Sequence, residues 1–197
     1  MSTETRQWTA IAALVLFAVA ACSEPAPPRI FPAATTPVAL VPGRYELIPD
    51  LCSVFDRSAV QAILPYAERF ESESTDFSME CGTRMGVDRD SAGTFELRVE
   101  VDADPRVTLF KFEGTRSAQR SYATIEPLDG IGQGAYQYID PVLGPHAVAY
   151  DGNAYFDIRW GTLGRSEPLP PGLREAMVAS LKATMANLRV GEAPRSP

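Results

Sequence analysis

At 197 residues, 45% hydrophobic and 22% charged, the chain suits one globular domain plus appendages. Its formal net charge of -7, with no cluster of Lys or Arg, gives it no electrostatic route to a phosphate backbone and excludes nucleic acid as an expected partner.

Arg6 precedes an uncharged run from Trp8 to Ala21. That run is shorter than the ~20 residues a membrane-spanning helix needs, and it fits the apolar core of a secretory signal. It ends in Val19-Ala20-Ala21-Cys22, which resembles a lipobox: small residues ahead of a Cys whose thiol takes up a diacylglycerol. The resemblance implies that residues 1–21 are a cleavable signal and that Cys22 is the lipidated first residue of the mature protein. It also implies that the lipid holds the chain at the extracytoplasmic face of the cell membrane. Cleavage removes Glu4 and Arg6, one charge of each sign, so the mature chain keeps the same net charge. Residues 22–43 include Pro25, Pro27, Pro28, Pro32, Pro37 and Pro42, a composition that favours an extended, semi-rigid tether. The folded domain is expected over 44–190, with a frayed polar tail over 191–197.

Two further cysteines, Cys52 and Cys81, remain. In an exported chain an even pair reads as a disulfide. A metal site would want more ligands close by, yet the one His, His146, lies far along the chain. A redox pair would usually show C-x-x-C spacing.

Asp56-Arg57-Ser58 opens a short helix, with Ser58 and Gln61 at capping-box spacing and Pro65 beyond its end. Glu68 to Asp76 is acidic, weakly patterned and expected to be exposed. Met79 to Met85 reads as a strand. Thr94 to Asp102 reads as a clearer one, because Phe95, Leu97, Val99 and Val101 alternate with charged residues. Val107 to Phe112 is expected to add a strand, and Thr115 to cap a second helix carrying Ala118, Tyr122 and Ile125. Ala135 to Ile139 returns to strand. Ala147–Tyr150 and Ala154–Trp160 flank Asp151-Gly152-Asn153 and form a predicted β-hairpin. Leu173, Met177, Leu181, Met185 and Leu188 recur at helical spacing in a final helix. This order predicts an α+β fold, an antiparallel sheet with helices packed on one face in two layers. Its two helix-then-strands halves suggest an internal duplication, although no residue-level repeat accompanies them.

Taken together, Leu51-Cys52-Ser53 before a short helix, Cys81, and Gly130-Ile131-Gly132-Gln133-Gly134-Ala135-Tyr136 resemble a mycobacterial-type actinobacterial family of envelope lipoproteins of unknown function. Gly82-Thr83-Arg84 departs from that pattern, in which an aromatic closely follows the second Cys. The resemblance implies a cell-envelope location and a Cys52–Cys81 bridge, and it carries no activity.

No constellation for catalysis is apparent. Any Ser-His-Asp triad would have to use His146, expected in a loop at the start of a strand, and there is no G-x-S-x-G elbow. The glycines at 130, 132 and 134 precede a strand rather than a helix, so they read as a turn and not a phosphate cradle. Asp88/Asp90 and Asp102/Asp104 lack the pattern of a calcium loop and read as solvated turn residues. Aromatics on the later strands, Tyr136, Tyr138, Tyr150, Tyr155, Phe156 and Trp160, suit a core. If several shared a wet face they would line a groove for an apolar ligand or partner. The expectation is a non-catalytic binding or interaction module without cofactor or metal, meeting an envelope protein or a small lipophilic ligand. A carboxylate-dependent envelope hydrolase is the alternative.

Overall fold

A computed structural model of the protein describes residues 45–162 and 168–189. The chain divides into two units, Met1–Val38 and Ala39–Pro197, and every described residue belongs to the second. The expected signal, Cys22, the tether and the 191–197 tail lie outside the described residues. In chain order the elements are a 3-10 turn (Leu51–Ser53), α1 (Ser58–Gln61), β1 (Tyr66–Ala67), β2 (Glu71–Ser74), β3 (Ser78–Gly86) and β4 (Gly93–Val101). They continue with α2 (Pro105–Gln119), β5 (Glu126–Leu128), β6 (Gly134–Asp140), β7 (Gly144–Asp151), β8 (Ala154–Gly161) and α3 (Leu173–Leu188).

All eight strands join one antiparallel sheet in the order β1-β3-β4-β8-β7-β6-β5, and β2 pairs with β3 further along the edge that β1 occupies. The α+β class and the antiparallel sheet are as expected. One face carries the larger core. Phe95, Leu97 and Val99 of β4 and Phe156, Ile158 and Trp160 of β8 pack there against α1, the 3-10 turn and α3. Small residues on the sheet (Ala135, Ala147, Ala149 and Ala154) lie in the same core as the large Met177, Leu181 and Met185 of α3, complementary sizes that let a helix approach a sheet closely.

α2 lies on the opposite face, over β7 and β8. The second face of β6 to β8 carries aromatic rings beside Asp157, Arg159 and His146, and the rings need cover; Phe112 of α2 supplies it, within a cluster of Tyr136, Tyr138, Val148, Tyr150 and Tyr155. The helices therefore bracket this part of the sheet instead of sharing one face. Their placement on opposite faces is not that of two halves related by a two-fold normal to the sheet, which would carry α1 and α2 to the same side.

Several local expectations are corrected. Val107–Phe112 is helix and not strand: Asp104 caps α2 by accepting from Arg106 N at 3.0 Å, and Pro105 takes the first turn, where no N–H is needed. Thr115 is thus mid-helix, and Tyr122 and Ile125 lie beyond the helix end. Ser58 forms no capping box; Asp56 Oδ1 accepts from both Ser58 N and Ser58 Oγ. The acidic stretch Glu68 to Asp76 contains β2. The hairpin, the Thr94 strand and the final helix form where expected.

A disulfide joins Cys52 to Cys81, with Cα atoms 5.1 Å apart, and ties the 3-10 turn to β3. Closing its 29-residue separation restricts the unfolded chain by about 3–4 kcal/mol in the entropic account. A second tie lies at the β7–β8 turn. Tyr45 N donates to Asn153 Oδ1 (3.1 Å) and Asn153 Nδ2 donates back to Tyr45 O (3.0 Å). Tyr45 Oη and Arg189 Nη2 both donate to Asp151 Oδ2, at 2.8 and 2.9 Å. Gly152, with φ 58°, makes the tight turn possible.

Candidate functional site

The face that bears α2 is only partly covered. Its rungs run across the sheet by register. One reads Glu73, Glu80, Arg98, Asp157, Val148, Tyr136, and the next reads Glu71, Gly82, Glu96, Arg159, His146, Tyr138. From β2 to β6 the surface thus changes from charge to aromatic rings, with β8 and β7 at the boundary.

The five proposed groove residues separate. Tyr136, Tyr138, Tyr150 and Tyr155 are all buried in the cluster beneath α2, with Phe112 4.6 Å from Tyr150 and 5.1 Å from Tyr136 between ring centroids. Trp160 faces the other side of the sheet and donates from Nε1 to Met85 O at 3.0 Å. Burial raises the hydroxyls of all four tyrosines above their ordinary value, most strongly at Tyr136, Tyr138 and Tyr155, where Asp157 adds to the rise. The rings therefore form a core, and α2 fills the space a ligand would need.

His146 is not in a loop. It sits within β7, buried, stacked on Tyr138 at 4.7 Å, with Nδ1 3.0 Å from Asp157 Oδ1. The carboxylate can only accept, so Nδ1 carries the proton, and the enclosed Nε2 has no hydrogen-bond partner among the described residues. A His–Asp pair of this kind resembles half of a catalytic triad, but a general base must reach a substrate proton, and this Nε2 is closed off from solvent. Nearby, burial raises the Asp140 carboxyl, but N–H donation from Leu143 and Val142, together with His146 and Tyr122, outweighs it and holds the group below its usual range.

The uncovered half was missed by sequence reasoning as a surface. β3 and β4 form a floor there. Arg98 pairs with Glu80 (3.3 Å) and Glu100 (2.9 Å), Lys111 of α2 also pairs with Glu100, and Arg159 pairs with Glu96 (2.8 Å). Toward the β1–β2 edge a cavity of about 420 Å³ opens. Its lining includes five carboxylates, Glu68, Glu71, Glu73, Glu80 and Glu96, against two guanidinium groups, Arg69 and Arg84. Gly82 lies in that lining, where the missing side chain keeps the floor low. The alternation of β4 signalled its wet face; Glu-Ser-Glu-Ser in β2, lacking any apolar partner residue, hid the strand that walls it.

The aspartate pairs proposed as turns are turns. Asp88 Oδ1 accepts from Ser91 N, Ser91 Oγ and Asp90 N, and Asp102 Oδ1 accepts from Asp104 N. Among the described residues no group of three or more His, Cys, Asp or Glu side chains could hold a metal ion, and no helix is long and apolar enough to cross a membrane. No family model, curated protein or solved structure matches the chain.

Proposed function

We propose that the protein is a lipoprotein held at the extracytoplasmic membrane face through Cys22, and that its domain is a non-catalytic interaction module receiving a cationic partner on the open half of the sheet. The lipobox-like end of the signal run and the resemblance to envelope lipoproteins support the anchoring. One observation carries the binding role. Among the described residues the aromatic half of the outer face is closed by α2, whereas the β2–β3–β4 half is open. Around its cavity, floored by Gly82, Glu68, Glu80 and Glu96 are ion-paired with Arg84, Arg98 and Arg159, and Glu71 and Glu73 against Arg69 leave the excess negative charge. A groove of that sign attracts a Lys- or Arg-bearing segment of another envelope protein and disfavours acidic ones. A carrier of lipophilic ligands would need the tyrosines to border a sizeable void; Tyr136 and Tyr150 pack on Phe112, and the cavity that Tyr155 lines holds only about 120 Å³.

The test uses the mature lipidated chain and a fluorescent lysine-rich peptide as probe. Glu71→Lys with Glu73→Lys should weaken peptide binding at least tenfold. Glu113→Lys with Glu175→Lys changes net charge equally but away from the cavity, and should leave binding within about twofold. Equal losses in the two pairs would show attraction to net charge alone and remove the site. For the anchor, Cys22→Ser should abolish the acyl mass and membrane retention; retention without that mass would overturn the lipobox reading.

A further inference from the structure

Phe110 is 81% exposed, Phe77 58% and Val107 48%, unusual values for side chains of this size. They lie close together. Phe77 and Val107 border the same small cavity, and Phe110 follows Val107 by three residues on α2, one turn along the same side of the helix.

Their position in the fold is specific. Phe77 O accepts from Val101 N, Asp102 N donates to Asn153 O, and Asn153 holds Tyr45, so all of these groups lie at one end of the sheet. Tyr45, the first described residue on the Cys22 side of the sequence, is held at that end. The exposed Val142 and Leu143 occupy the β6–β7 turn at the opposite end, one eight-residue strand away, roughly 27 Å at 3.4 Å per residue. The acidic cavity also lies toward that far end, around Arg84 and Thr94.

We propose that Phe77, Val107 and Phe110 form a membrane-contact patch that seats this end of the domain in the headgroup region of the bilayer holding the lipid on Cys22. The proposal rests on the lipid-anchor reading above. Aromatic rings favour that interfacial layer, and a covalently tethered domain meets it at high effective concentration. Charge does not drive the contact. Asp104 is paired with Arg106, Glu100 with Lys111, and Asp76 and Asp102 remain acidic, so the patch takes zwitterionic lipid as readily as anionic. With this end down, the strands stand along the membrane normal, and the open face of β2 to β4 looks sideways toward neighbouring membrane proteins.

The experiment places the mature lipidated chain in phosphatidylcholine vesicles, with and without brominated acyl chains. Phe110→Trp and, separately, Val142→Trp report on the two ends; Trp160 is buried and its signal is subtracted using the unsubstituted chain. Trp at 110 should shift to the blue and be quenched several times more strongly than Trp at 142, unchanged by salt. Equal quenching at the two positions, or water-like emission at 110 while the protein floats with the vesicles, would overturn the patch and leave the anchor standing. A chain bearing no lipid and failing to float would bring down the anchor reading and the patch with it.

Discussion

The two halves of the sheet's outer face are built from strands of one sheet, yet they differ in every respect that decides cover. β6 to β8 present Tyr136, Tyr138, Val148, Tyr150 and Tyr155, and α2 closes over them. β2 to β4 present Glu71, Glu73, Glu80, Glu96 and Arg98, and among the described residues no helix crosses them. The side chains select the cover: a helix gains from burying rings and would have to desolvate ion pairs to extend further. What remains open is therefore the half whose charges are better left wet.

The contrast can be broken most directly at Phe112, the residue through which α2 grips the rings. Phe112→Ala should cost about 3–5 kcal/mol in urea unfolding, as full burial of an aromatic implies. A loss under about 1 kcal/mol would mean that α2 does not close that half.

A second break is alkaline. The four ring hydroxyls hold their protons above the ordinary tyrosine value, because burial disfavours the phenolate. Their contribution is complete below the unfolded value of about 10 and is lost as pH rises through the folded values. Tyrosinate absorbance from these rings should therefore appear together with loss of the native circular dichroism. Full tyrosine ionisation near pH 10 with the fold intact would show that the rings are wet.

The smallest effect belongs to the open half. Arg98→Gln, which removes the central cation from a half-exposed network, should change stability by less than about 1 kcal/mol. A cost of several kcal/mol would place that network among the elements that hold the fold, and not on a surface free to bind.

Legibility in the sequence followed how local the deciding physics was. The Asp151-Gly152-Asn153 turn and the apolar stripe of α3 are local, and both formed as expected. The Cys pair was readable because its pairing follows from cysteine count and the expectation of export, whatever the fold. α2 was misread because Val107-Thr108-Leu109-Phe110-Lys111-Phe112 alternates like a strand, while Asp104-Pro105 just before it is a helix start. β5 was missed because it is a three-residue edge strand containing Pro127. The tyrosines were identified as a set, but whether they line a groove or a core depends on where α2 lies, which no short window contains. The open half needed β2, β3, β4 and β8 to be brought side by side before its charges formed a surface.

The clasp that holds Tyr45 between Asn153, Asp151 and Arg189 also decides how the domain bears a load. A pull on the chain ahead of Tyr45 arrives at the turn of the β7–β8 hairpin, within the sheet, and at the C-terminal end of α3. Force directed along these strands stretches many interstrand hydrogen bonds at once. Force directed across the strands, as when an edge strand such as β1 or β5 is peeled away, would open them one after another. A load on the chain ahead of Tyr45 is thus taken up inside the sheet, and its two edge strands are spared.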